Sequence, residues 1–362
     1  MSLRRHAGPA LPNDLDALLK RVSRSFYLSL QVLPRPVRGQ LKSAYLVARA
    51  ADTIADTRIL PAPRRLELLS ALRAAIAEGG ERSALKGALA GILPGVAAGD
   101  LGSASERELL ERIDAVLDSL KPFDEADRAR AEKVLGTLIT GMERDLSRFP
   151  NAQPDDPPPV PVAVQTLAEL DEHTYFAAGC VGEYWTLMCA AHVPGLARLA
   201  RPDLVARGVR LGKALQLVNV LRDIPSDLRE GRCYLPAEML EKVGLRPNDL
   251  TDPSRRLRAR PILEELRQRA LAHVDAAFPY VMAIPASQPR LRLAALWPLW
   301  IGLATLAQLR DTIDPLDPLA VVKIQRREVY EIIAESLPLI SPKMLSDRWL
   351  VARHKARRAA AA

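Results

Sequence analysis

The chain has 362 residues, 48% of them hydrophobic, 26% charged and 4% aromatic, with a formal net charge of +8. This is ordinary globular composition, and the length allows one large domain or two small ones. A positive balance fits nucleic acid, an anionic membrane surface or small phosphorylated ligands, but the sequence has no Cys/His finger, no aromatic RNA-binding signature and no basic block interleaved with aromatics, so nucleic acid is set aside as a partner.

Long Ala/Leu/Arg/Glu stretches favour helix, and alternation of β-branched residues is nearly absent, so an all-α fold is expected. In chain order, helices are predicted over 14–33 (ended by Pro34 and Pro36), 37–57, 62–78, 105–120 and 124–148, with a Gly-rich connection between the third and fourth. A proline-rich loop over 151–162 follows, "NAQPDDPPPVPV", in which proline prevents helix. Helices resume over 165–192, 201–224, 257–283, 287–309 and 317–335. The tail "HKARRAAAA" is expected to fray. Pro225 is expected to bend or loosen the chain just after Asp223, because proline lacks an N–H and disfavours helical geometry at Ile224. One core is favoured over two, because polar motifs fall on both sides of the proline loop.

Cys180, Cys189 and Cys233 form no paired framework, and reduced thiols are expected. The first twenty residues lack the apolar core of a secretion signal, and no run reaches the roughly 18 apolar residues of a membrane span. A cytoplasmic chain is the expectation. The longest apolar region, Leu291 to Leu306, is interrupted by Arg292 and Pro298 and reads as a core helix.

Two polar stripes stand out. Tyr45, Arg49, Asp52 and Asp56 fall on one face of the second helix. Gln216, Asn219, Asp223 and Asp227 share a face of the helix beginning near 201. A D-x-x-x-D pair on a helix is usually a solvated face. A solvated face, however, carries exchangeable Lys and Glu, whereas these faces carry short carboxylates, amides and an arginine inside apolar helices. Buried carboxylates need countercharge. Two such helices facing across a cavity would offer oxygens to a hard divalent cation, and Mg²⁺ commonly bridges carboxylates to substrate phosphates. Flanking arginines would hold phosphate oxygens directly. The stripes thus predict a Mg²⁺–diphosphate site in an apolar helical pocket, suited to ionising a diphosphate ester and shielding the carbocation from water.

At these residues the chain resembles the squalene/phytoene synthase family. "SRSFYLSLQVLP" (Ser23 to Pro34) resembles the family's phosphate-binding flap, with Arg24, Ser25 and Phe26 in the matching places. "YLVARAADTIAD" (Tyr45 to Asp56) is similar to its first aspartate-rich motif, and "QLVNVLRDIPSDLREGRCYLP" to its second. "YFAAGCVGEYW" (Tyr175 to Trp185) resembles the A-G-x-V-G helix. "VVKIQRREV" (Val321 to Val329) is similar to a C-terminal segment on the NADPH side of squalene synthases. The resemblance covers roughly residues 15–335.

The resemblance implies a single-domain isoprenoid-synthase-type helical bundle around a central apolar cavity, over 14–340, with an N-terminal extension (1–13) and a basic C-terminal tail (341–362). It implies head-to-head condensation of two farnesyl diphosphates through presqualene diphosphate to squalene. Mg²⁺, with Mn²⁺ as the alternative ion, would be held by Asp52, Asp56, Asp223 and Asp227. Arg49, Arg222 and Arg232 would clamp diphosphate, while Tyr45, Tyr175, Gln216 and Asn219 would face the substrate. Lys323 and Arg326 would meet the phosphates of the reductant NADPH. Where the family has a tyrosine nine residues before the last glycine of A-G-x-V-G, this chain has His173. A histidine there can accept a proton near neutral pH; the competing reading is a structural histidine. Tyr175, two residues on, lies about 200° around the helix and is no simple substitute.

Non-reductive dehydrosqualene or phytoene synthesis, and a class I terpene cyclase using one prenyl diphosphate, are the alternative reactions. A non-catalytic isoprenoid-binding protein is disfavoured by four intact aspartates. Trp297 and Trp300 are read as core in preference to cation-stabilising rings, and Cys180 and Cys189 as packing residues. Trp349 and Leu350 in the basic tail offer either a peripheral contact with the inner membrane face or a solvated surface. A monomer or weak homodimer is expected.

Overall fold

The computed structural model describes residues 8–23, 26–57, 59–77, 79–95, 103–149, 159–320, 322–336 and 342–357. It is 78% helical, and strand among the described residues is confined to one two-residue pair, so the all-α expectation holds. Arg24, Ser25, residues 151–158 of the proline loop, Val321 and residues 358–362 of the tail lie outside the described residues. The chain forms two compact units, Met1–Pro157 with Leu187–Ala197, and Pro158–Thr186 with Arg198–Ala362.

The first unit contains α1 (Asn13–Val22), α2 (Phe26–Val32), α3 (Arg35–Asp56), α4 (Ala62–Ile76), α5 (Ser83–Ile92), α6 (Ala104–Glu111), α7 (Ile113–Asp118) and α8 (Glu125–Arg148). Prolines begin two of these helices: Pro34 caps α3 and Pro61 caps α4, each with a second proline inside the first turn. A proline there loses no hydrogen bond, because the first N–H groups have no intrahelical acceptor. The Asp124 carboxylate caps α8, accepting from the Asp127 N–H at 2.7 Å. Asp127 is itself buried and is answered by Arg130 at 2.8 Å and by Nε2 of His192 at 2.6 Å. The core comes from one stripe of each helix, with Leu46, Val47, Ala50 and Ile54 of α3 and Val134, Leu135 and Ile139 of α8 all buried.

Three expectations here need correction. The helix over 14–33 is two helices, α1 and α2, separated after Ser23, whose hydroxyl donates back to the Leu19 carbonyl. The helix over 105–120 is also two, interrupted at Arg112 (φ −101°, ψ 21°). The Gly-rich connection carries a helix, α5, whose Leu85 and Leu89 are buried. Burial of those leucines overrides the weak helix propensity of Gly87 and Gly91.

The second unit contains α9 (Leu167–Thr174), a π turn over Tyr175–Gly179, the first half of α10 (Cys180–His192), α11 (Pro202–Arg229), α12 (Ala237–Lys242), α13 (Arg260–Ala283), α14 (Pro289–Asp311), α15 (Arg326–Ser336) and α16 (Pro342–Arg357). The helix expected over 165–192 is therefore continuous but carries a π turn, a feature common at functional sites. Glycines bring the π turn and α10 into backbone contact with α11. A Cβ added at Gly182 would lie 2.0 Å from the Gly208 carbonyl oxygen, and one at Gly212 would lie 2.1 Å from that of Ala178.

The expected end of α11 at 224 is wrong. The helix runs through Pro225 to Arg229. Burial of Ile224 and Leu228 along the same stripe holds it together, and the Ser226 hydroxyl donates to the Asp223 carbonyl at 2.7 Å. Beyond α11, β2 (Arg232–Cys233) pairs in parallel with β1 (Val162–Ala163), which is the end of the segment read as proline loop. The Val162 N–H donates to Gly231 O at 2.9 Å and the Val164 N–H to Cys233 O at 3.0 Å.

Among the described residues α14 is the helix with the length and hydropathy to cross a bilayer, and 72% of its apolar window is buried inside the protein. Trp297 and Trp300 are both buried in it, and Trp297 Nε1 donates to Ser336 Oγ at 2.7 Å. They are core residues, as expected.

The C-terminal expectations shift more. Helix α15 begins at Arg326, not 317. Residues 342–357 form α16, so the "HKAR" expected to fray is helical through Arg357. Trp349 is buried, its ring stacked on Phe278 at a centroid distance of 4.1 Å. Its side chain is therefore internal and not exposed as expected, while Leu350 is exposed.

Candidate functional site

In the first unit the stripe Tyr45, Arg49, Asp52, Asp56 lies along the C-terminal half of α3. Phe26, at the start of α2, stacks on Tyr45 with centroids 5.2 Å apart. Helix α2 is held by Asp16 of α1, which accepts from Tyr27 at 3.3 Å, Gln31 at 3.2 Å and the buried Lys42 at 2.6 Å. The Phe26–Tyr45 pair is thus fixed by a polar knot that is not apparent from the motifs.

Arg49 bonds two carboxylates, Asp52 and Glu106. Burial opposes its charge, and Asp52 and Glu106 outweigh that effect, holding the guanidinium above its ordinary range. Glu106 was not anticipated as a site residue. It is buried at the first turn of α6, where Ser103 caps the helix by accepting the Glu106 N–H at 3.2 Å and donates to Glu106 Oε2 at 2.8 Å. The S-x-x-E spacing from Ser103 to Glu106 is a helix-start signature, which could have located the residue but not its partner. Asp52 keeps 40% of its side chain exposed, and Asp56, the last residue of α3, is exposed.

In the second unit α11 presents Gln216, Asn219, Asp223 and Asp227 in sequence. Asn219 Nδ2 lies 3.4 Å from Gln216 Oε1, and Gln216 Nε2 lies 3.2 Å from Nε2 of His173 on α9. The His173 ring sits against Tyr234, with centroids 4.2 Å apart. Arg222 pairs with its neighbour Asp223, Nε to Oδ1 at 2.7 Å, and Asp223 keeps 41% of its side chain exposed.

Asp227 differs from Asp223. Only 14% of its side chain is exposed, and Arg232 Nη2 lies 3.3 Å from its Oδ1. Burial pushes the Asp227 carboxyl up to about 7; Arg232 opposes this, while Asp223 and Glu230 add to it. Arg232 also binds Glu230, and the β1–β2 pairing sets its position just after the helix. So Asp227 does not point to bulk solvent, and the feared disruption by Pro225 does not occur.

Tyr175 turns elsewhere. Its hydroxyl donates to Glu183 at 3.1 Å and its ring lies under Lys213, whose Nζ is 5.9 Å from the centroid. Burial, with the Glu183 charge, pushes the phenol up to about 12. His173 and Tyr175 therefore engage different partners, as their angular separation requires. Lys323 and Arg326 are exposed, Arg326 being the first residue of α15.

The three cysteines are free and buried. Burial raises the Cys189 thiol far above its ordinary range and pushes Cys233 up to about 12; neither is a ready nucleophile. Among the described residues no group of three or more His, Cys, Asp or Glu side chains is assembled as a metal cage. Each aspartate pair nevertheless suits Mg²⁺, which binds through one or two carboxylates and completes its shell with water and phosphate oxygens. The Asp52 and Asp223 side chains are both part-exposed, each beside an arginine, and a cation would favour the ionised form of Asp227.

A sequence model of the squalene/phytoene synthase family matches residues 19–328. The chain is 26% identical to the squalene synthase of Schizosaccharomyces pombe over 325 residues, 89% of this chain and 64% of that protein, so the match covers less than two thirds of that relative. It is 30% identical to the presqualene diphosphate synthase of Rhodopseudomonas palustris over 253 residues, 70% of this chain and 72% of that protein. The solved structure of TcSQS with the ligand BPH1237 superposes with a TM-score of 0.72 at 24% identity, over 96% of this chain and 92% of that one, a likeness of fold. With the family's sequence pattern matched from the end of α1 into α15, and with both aspartate stripes inside that span, the chain belongs to the squalene/phytoene synthase family of prenyltransferases.

Proposed function

We propose that the protein condenses two farnesyl diphosphates head to head through presqualene diphosphate to squalene, with Mg²⁺ and NADPH. The observation that carries this reading is the composition of one face of α11. Two carboxylates, each with an adjacent arginine (Asp223 with Arg222, Asp227 with Arg232), follow an amide pair that reaches His173. The C-terminal end of this face thus gathers the charged groups for diphosphate, while its amide end meets the proton acceptor on α9.

Asp52 and Asp56 in the first unit, and Asp223 and Asp227 in the second, are the residues that would hold Mg²⁺. An ion held by either aspartate pair would neutralise diphosphate charge and make it a leaving group. Arg49, Arg222 and Arg232 hold phosphate oxygens by charge-assisted hydrogen bonds. Loss of the first diphosphate leaves an allylic cation, the alkene of the second molecule attacks it, and proton loss closes the cyclopropane. His173 Nε2, oriented by Gln216 and the Tyr234 ring, is the group that accepts that proton. The exposed cations Lys323, just before α15, and Arg326, its first residue, fit the phosphates of NADPH, whose hydride would quench the final cation.

A second reading stops at presqualene diphosphate, favoured by the 30% identity to the Rhodopseudomonas palustris enzyme of that name. Incubation with farnesyl diphosphate and Mg²⁺, with and without NADPH, followed by mass analysis of products separates the two. Squalene formed only with NADPH supports the first reading. Presqualene diphosphate accumulating in both reactions selects the second. A cyclised sesquiterpene, or no turnover of any prenyl diphosphate, overturns both.

A further inference from the structure

A cavity of about 500 Å³ opens in the second unit among α11, α13, α14 and the end of α16. Four arginines line it: Arg260, Arg267, Arg310 and Arg357. Its floor is apolar, supplied by Leu221, Leu263 and Leu309. Leu221 lies two residues from both Asn219 and Asp223, about 200° around α11. The cavity therefore sits behind the polar stripe and is separate from it.

Structural work explains part of this charge. Arg267 pairs with Glu264, Nε to Oε2 at 2.7 Å, and donates to the Ala356 carbonyl; Arg310 pairs with Asp311 at 2.6 Å and donates to the Lys355 carbonyl. Both thereby cap the last turn of α16. Arg357 binds Asp275, which already holds Arg353 at 2.6 Å. Arg260 is exposed and makes no ion pair among the described residues. Among the described residues around the cavity, five guanidiniums (with Arg353) stand against three carboxylates, Glu264, Asp275 and Asp311. The excess positive charge stands at the rim of an apolar recess, and the volume lies within the range of small-molecule sites, about 300–1,000 Å³.

We propose that this cavity binds a phosphate-headed ligand with an apolar stem. Guanidiniums grip phosphate oxygens in pairs, and the leucine floor takes the first carbons of the stem. Either a soluble isoprenoid phosphate or the headgroup of an anionic lipid carries this chemistry. The proposal does not depend on the reaction proposed above.

The test uses the full chain in chelator-containing buffer, where metal-free aspartates repel anions and the proposed catalytic site is silenced. Titration calorimetry with farnesyl monophosphate is compared with sedimentation on phosphatidylglycerol and phosphatidylcholine vesicles. The variants are Arg260→Gln and the double variant Arg260→Gln/Arg357→Gln, each checked by thermal melting without ligand. The single variant keeps every α16 contact and so serves if the double variant melts early. Farnesyl monophosphate bound by the wild type, and at least about tenfold more weakly by the variants, assigns a soluble ligand. Binding to phosphatidylglycerol but not phosphatidylcholine, with the same loss, assigns a lipid headgroup. Equal binding by wild type and variants, or no binding to either probe, overturns the proposal.

Discussion

Gln216 on α11 and His173 on α9 meet at 3.2 Å, between Gln216 Nε2 and His173 Nε2. The contact depends on glycine, because the backbone of α11 at Gly212 approaches Ala178, in the π turn that follows α9, more closely than any side chain would allow. If His173 accepts the proton, His173→Ala lowers kcat by roughly 10²-fold, within the usual range for general-base removal. His173→Tyr, which restores the family's residue, retains or raises activity. Product formation from farnesyl diphosphate measures both. Full activity in His173→Ala would assign the residue a structural role.

Gly212→Ala tests the close approach itself. The new methyl would fall 2.1 Å from the Ala178 carbonyl oxygen, and backbone on both sides cannot yield as a side chain does. Destabilisation of about 3 kcal/mol is expected from denaturant midpoints, with the His173–Gln216 register lost.

Asp227 sets a pH dependence. Its carboxyl rises from 3.8 to about 7 in the fold, so at intermediate pH the folded state binds the proton that the unfolded state has released. Metal-free stability is therefore highest below about pH 4 as far as this group is concerned, and falls as pH rises toward 7, by about 1.4 kcal/mol per pH unit at most. Mg²⁺ affinity runs the opposite way, increasing up to about pH 7 as the carboxylate forms. Asp227→Asn flattens the stability profile and weakens Mg²⁺ binding. Thermal melts from pH 4 to 8, with and without Mg²⁺, read both effects; an unchanged profile in the variant would remove Asp227 as their source.

The four aspartates carry the proposed metal role. Asp52→Asn and Asp223→Asn each keep the side-chain shape and remove charge, so turnover falls by about 10²-fold or more. Because both side chains are about 40% exposed, the melting temperature shifts little. Near-normal rates in either variant would exclude that residue from the metal site.

Glu106 is expected to act through Arg49. Glu106→Gln leaves Arg49 with Asp52 as its acidic partner, costs about 2 kcal/mol of stability for breaking a largely buried pair, and frees the guanidinium to reorient. KM for farnesyl diphosphate rises more than kcat falls, and Glu106→Asp restores part of the loss. An effect on stability with unchanged KM would make the pair purely structural.

Both aspartate stripes, the A-G-x-V-G helix and the apolar character of α14 were legible in the sequence, because helical periodicity writes a face directly into residue spacing. Asp223 and Asp227 lie four apart, and the helix through Pro225 keeps them so. Glu106 and Asp16 were not legible. Each is distant in sequence from the residue it holds, and a lone acidic residue near a helix start has a sufficient local explanation as a cap. Trp349 was misread for the same reason: beside a basic tail it looks exposed, until Phe278 stacks on it.

By itself, then, the order of residues determined the helical class, the two polar faces and the family, since these depend on local propensity and on spacing of three and four. The tertiary structure alone decided that Asp227 is buried beside Arg232, that Arg49 shares its charge with Glu106, and that four arginines gather over a leucine floor behind α11. Those facts arise from contacts between segments far apart in the chain, and burial, which sets a carboxyl's proton affinity and an arginine's partner, exists only once those segments have packed.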